Sequence, residues 1–144
     1  MTRENRAFIL APLVMPFAFA FFAYMTGVSG FDMKSGFADY AGALIAVIIF
    51  GLPVVYLFEF FIGYRFYRLL LKKNRINVVS LTIGGMLIAD IPMFMIVAFS
   101  GFSSESYSLS TALPLFSFVG FMIGLTFWFL LNQDHIIKTL RSKF

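Results

Sequence analysis

Two acids interrupt long apolar runs in this chain, and those two positions set the chemistry open to it. Counted from Val78 at ~1.5 Å of helix rise per residue, Asp90 lies about 18 Å into the run 78–102, near the middle of a bilayer. An aspartate at that depth costs about 3 kcal/mol on insertion scales, so it must face a bundle interior or a wet cavity. Such a residue has two possible roles. It can titrate a proton or bind a cation, or it can be a protonated acid, hydrogen-bonded to a neighbouring helix, that holds the bundle in register. Pro92 leaves the carbonyl of Ile88 without its helical donor; Pro53 does the same to Ile49, and Pro16 to Pro12. Pro16 and Pro53 lie at roughly 14 and 15 Å, close to the depth of Asp90. Asp90, Pro92 and Pro53 are therefore the candidate proton or cation site, one carboxyl group beside released carbonyls. The plainer reading is that proline is common in membrane helices.

Glu59 stands close to the end of the run 40–63, about 6 Å from its edge. It is expected to be an interfacial acid that snorkels outward to meet Arg65, Arg68 or an N-terminal arginine. A depth difference of about 12 Å argues against a direct pair with Asp90.

Other chemistries are excluded by composition. The chain has no cysteine, which removes disulfides, thiolate nucleophiles and thiolate-held metals. It has one histidine, His135, so a zinc site with several histidine ligands is impossible. No HExxH, GxSxG or phosphate-cradling glycine loop occurs. A triad using the loop serines would leave His135 on the far side of the membrane. The expectation is a protein that is not an enzyme, with no cofactor and no metal.

The elements that position these residues are four apolar runs, 7–28, 40–63, 78–102 and 111–131. Each is close to the ~20 residues a helix needs to cross a bilayer. The chain is 60% hydrophobic and 12% charged, about half the charge of a soluble domain, so polar surface is too scarce for water. Backbone groups in lipid must be satisfied within a segment, which selects helices, and the alternation of a barrel strand is absent. The predicted fold is an all-α membrane protein, one domain over 1–144, with four transmembrane helices in an up-down bundle. The first run carries an Ala18-Phe19-Ala20 triplet resembling a signal-peptidase site, but its apolar character continues unbroken to Val28. Residues 29–39 hold the turn formers Gly30, Asp32 and Gly36, and 103–110 is serine-rich. Ser110 or Thr111 is placed to cap the fourth helix, with Pro114 in or near its first turn.

Charge sets the orientation. Arg3 and Arg6, then Arg65, Arg68, Lys72, Lys73 and Arg75, then Lys138, Arg141 and Lys143 place ten of the eleven basic residues on one side. Lys34 is alone on the other side with Asp32, Asp39 and Glu105. By the positive-inside rule both termini and the middle loop are cytoplasmic, which suits a multi-pass protein of a bacterial inner (plasma) membrane.

Small residues mark packing faces. Thr82, Gly85 and Ala89 form one stripe, and Ser117, Gly120 and Gly124 form another. Such stripes let backbones approach within one bundle or between two copies of the chain. Asp90 lies about 100° round the helix from Ala89 and need not share that contact. If the second helix continues past 63, Arg65, Arg68 and Lys72 share a face with Tyr64 and Tyr67 near the headgroups. With Lys73 and Arg75 they form a basic segment for anionic lipid or a cytoplasmic contact. Nucleic-acid binding is not expected.

The expected function is a non-enzymatic accessory, immunity or interaction partner of another membrane protein, or of a second copy of itself. The alternatives are a small oligomeric proton- or cation-coupled transporter or channel using Asp90, and a lytic pore.

Overall fold

The computed structural model describes residues 2–26, 41–42, 44–100 and 109–141, with side chains described outside 96–100, 109–111 and 134–141. Every element among them is helical. Four helices are long and apolar enough to cross a membrane: Arg3–Thr26, Leu44–Lys72, Val78–Met95 and Ala112–Gln133, here called spans one to four. The helix of span three is Val78–Ser100 and that of span four is Leu109–Arg141. The expected turns at 29–39 and 103–108 lie outside the described residues.

Spans three and four make the most intimate contact. A Cβ on Gly85 would meet the carbonyl oxygen of Gly120, and one on Gly120 would meet that of Gly85 and lie 2.7 Å from the Cβ of Ala89. A Cβ on Gly124 would meet the carbonyl of Leu81 and lie 2.8 Å from the Cα of Thr82. These neighbours are mostly backbone atoms, which cannot swing aside. The two stripes of small residues therefore face each other as one seam. In lipid such a seam gains its stability from van der Waals contact between backbones, because lipid tails are as apolar as side chains.

Span one packs against span four with a small-residue face of Ala7, Ala11 and Ala18, all buried, together with Met15. Thr2 caps its start through Oγ1, which accepts from the Asn5 amide at 3.3 Å. The helix tightens to a 3-10 turn at Ala11–Val14, with Pro12 in its first positions. In that register the partner of the Ile9 carbonyl would be the nitrogen of Pro12, which has no hydrogen. Span two supplies the donor: Tyr56 donates its hydroxyl to the Ile9 carbonyl at 2.6 Å.

Span two is widened at two places, π-helical at Val47–Gly51 and again at Glu59–Gly63. The first wide turn contains Ile49, whose carbonyl Pro53 cannot bond, so the missing donor and the altered turn coincide. No residue from Val47 to Phe58 is buried. Phe50 and Phe60 are 73% and 72% exposed, an exposure that lipid, not water, must cover.

Span two continues beyond residue 63 to Lys72 and closes on a left-handed Asn74, φ 51°. The amides of Asn74 and Arg75 bond back to the carbonyls of Leu71 and Leu70 at 3.1 and 3.0 Å, a helix stop for which asparagine is the usual non-glycine choice. Span three starts at once, because Asn77 Oδ1 accepts from the Ser80 amide at 2.7 Å and the Asn77 amide donates to Ser80 Oγ at 3.2 Å.

Candidate functional site

Three spans pack closely and the second does not, and a half-enclosed chamber of about 510 Å³ remains between them. All four spans line it: Phe8 and Met15 from span one, Val55 and Glu59 from span two, Ile88 from span three, Ile123 from span four, among others. The lining is apolar and rich in phenylalanine. Among the described residues, Glu59 and Tyr67 supply its only polar side chains, and it holds no lysine, arginine or histidine. A volume in this range is typical of sites for small organic ligands, about 300–1,000 Å³.

Tyr67 closes one end. Its ring is buried and meets Phe8 and Phe127 edge-on at centroid distances of 5.7 and 5.5 Å, while Phe8 and Phe127 meet at 4.7 Å. Tyr64 adds a fourth ring, 5.6 Å from Phe8. Edge-to-face pairs of this kind are worth about 0.5–1.5 kcal/mol beyond their buried area. The Tyr67 hydroxyl donates to Glu4 Oε1 at 3.0 Å, which ties the far end of span two to the beginning of span one.

Glu59 sits elsewhere than the sequence suggests. It borders the chamber, and its Oε2 is buried with no hydrogen-bond partner. No arginine donates to that oxygen, and Arg65 and Arg68 are exposed, with Arg68 lying 5.7 Å from the Tyr64 ring centroid. The wide turn Glu59–Gly63 changes the helical phase on which a snorkelling direction depends. Gly63 is the residue that leaves room, since a Cβ there would lie 3.2 Å from Glu59 Cγ.

Asp90 is not part of the chamber lining. Ser117 Oγ of span four lies 2.9 and 3.1 Å from its two carboxyl oxygens, so the acid is joined across the seam to a residue of the facing stripe. Pro92 lines the chamber; Pro53 is exposed and does not. Of Asp90, Pro92 and Pro53, Pro92 alone is on the chamber wall. Thr82, Gly85, Ala89, Ser117, Gly120 and Gly124 are brought together along the seam, where the Thr82 hydroxyl donates back to its own helix at the carbonyls of Val78 and Val79. Arg65, Arg68, Lys72, Lys73 and Arg75 are all exposed. Lys34, Asp32, Asp39 and Glu105 lie outside the described residues, as do the side chains of His135 and Lys138.

A second groove, formed by Leu13, Phe17 and Phe21 of span one with Leu44 and Ile48 of span two, carries no charged group among the described residues. No known protein family matches the chain, and no curated protein or solved structure matches it.

The Asp90–Ser117 contact makes a quantitative prediction. In a double-mutant cycle of Asp90→Asn and Ser117→Ala, read by unfolding in mixed micelles, the pair should show a coupling of about 0.6–1.7 kcal/mol. Additive single effects would mean that the contact contributes nothing.

Proposed function

We propose that this chain is a non-enzymatic, multi-pass membrane protein that binds a small molecule with an apolar body in the chamber between its four spans. One observation carries the reading: span two leaves an apolar volume of ligand size at the bundle centre, with a single buried, unpartnered carboxyl oxygen on its wall. Interiors are otherwise close-packed. A chamber of this kind serves a carrier, or a receptor whose occupancy reshapes span two for a neighbouring membrane protein. The second role joins the chamber to an accessory or interaction function. It is favoured by the run Val47–Phe58, in which no residue is fully buried within the chain. Asp90 has a structural part in this reading, because Ser117 already engages it.

The proposed setting is a bacterial inner membrane, with the helices in up-down order and both termini and the middle loop in the cytoplasm. The supports are the one-sided basic residues and the meeting of Glu4, Tyr67 and Phe127 at one end of the bundle. The exposed Arg65, Arg68, Lys72, Lys73 and Arg75 then lie against anionic headgroups.

Two experiments test these points. Val55→Trp fills part of the chamber and should weaken binding of a neutral aromatic hydrocarbon at least ten-fold in nanodiscs, with empty discs as the blank. Equal binding by both proteins would remove the chamber as the site. Because the chain lacks cysteine, single cysteines report topology directly. Lys34→Cys should react with a membrane-impermeant maleimide in intact spheroplasts and Arg75→Cys only after lysis. The opposite pattern would invert the protein.

A further inference from the structure

The position of Glu59 says more about the ligand than the volume does. Among the described residues the wall of the chamber carries one acid and no base, so a bound anion would face Glu59 with no counter-charge from them. A neutral apolar ligand would leave Oε2 as it stands, buried and unpartnered, which is unfavourable and more so when the acid is ionised. A positive charge offsets that cost by direct attraction to the ionised acid. An inorganic divalent cation is poorly served, because calcium takes 6–8 oxygen ligands and magnesium keeps a near-octahedral shell, whereas the lining offers one carboxyl group. An organic cation with an apolar body is served by both parts of the wall. Its charge meets the carboxylate, and its body meets the rings of Phe8, Phe58, Phe66 and Phe127. Ring faces attract a desolvated ammonium through the ring quadrupole.

Local structure is arranged to the same end. In a regular helix residues 59 and 63 would stack one above the other on the same face. Here the turn Glu59–Gly63 is widened, and the residue beside the glutamate stem is glycine. The carboxyl group therefore has room to turn towards the chamber.

We infer that the chamber selects a monovalent organic cation with an apolar, aromatic-compatible body, and that Glu59 is its charge partner. This rests on the chamber being a binding volume, and the test separates the two claims. Benzyltrimethylammonium and neopentylbenzene have the same shape and differ only in a charged nitrogen for a carbon. Binding of each is measured by equilibrium dialysis against the protein in zwitterionic-lipid nanodiscs, with empty discs as the blank. The native protein should bind the cation at least ten-fold more tightly than its carbon isostere. Glu59→Gln should abolish that preference while leaving the isostere within two-fold of its native affinity. Equal affinities in the native protein, or a preference that survives Glu59→Gln, would overturn the cation assignment and leave the chamber standing. Binding of neither molecule would overturn both. Should Glu59→Gln fail to assemble, the preference measured on the unmodified chain decides the question.

Discussion

Contact between two backbones governs this fold. Lipid tails are as apolar as side chains, so in a membrane burying an apolar side chain gains little from solvent, and helices hold together only where they can come very close. Gly85, Gly120 and Gly124 allow that approach, and it places Ala89 and Thr82 against the opposing backbone. With the seam closed, Asp90 and Ser117 lie within hydrogen-bonding distance, a polar pair with no water to compete for it. Span one adds to the seam through another small-residue face, Ala7, Ala11 and Ala18. Span two has no such face. It is attached at particular points, the Tyr56–Ile9 bond, the Tyr67–Glu4 bond and the ring cluster, and it leaves a chamber elsewhere.

Proline and glycine have separate tasks along span two. Pro53 follows the first wide turn, and Gly63 closes the second. Wide turns of this kind change which residues share a face and are frequent at functional sites. Val47, Val55 and Glu59, at spacings of eight and four residues, line one wall of the chamber. The aromatic cluster at the Tyr67 end closes the same chamber, so the residues that anchor span two also bound the volume.

Much of the architecture is legible in the residues. Four long apolar runs announce four spanning helices, and the two small-residue stripes identify the faces that meet. Asp90 stands out as an acid in an apolar run, but its partner does not. Ser117 is distant in sequence, and the pairing depends on the register between two helices, which spacing within one helix cannot supply. Glu59 is the reverse case. Its depth favours a snorkelling acid only if the helix is regular, and the wide turn beside it changes the phase. The chamber was equally hidden, since a cavity arises from what span two fails to fill and has no signature in any single segment. Pro12 has no amide hydrogen, but that its consequence falls on the Ile9 carbonyl, which Tyr56 satisfies, follows only from the 3-10 register of that turn.

The most direct measurement of the glycine seam is the unfolding free energy of Gly120→Val in mixed micelles, beside Gly42→Ala, whose added methyl group meets nothing within 4 Å. Overpacking against backbone predicts a loss of at least about 2 kcal/mol for Gly120→Val, with Gly42→Ala neutral or slightly stabilising. A Gly120→Val protein as stable as the native chain would mean that spans three and four do not meet at this seam, and the chamber beside it would lose its foundation.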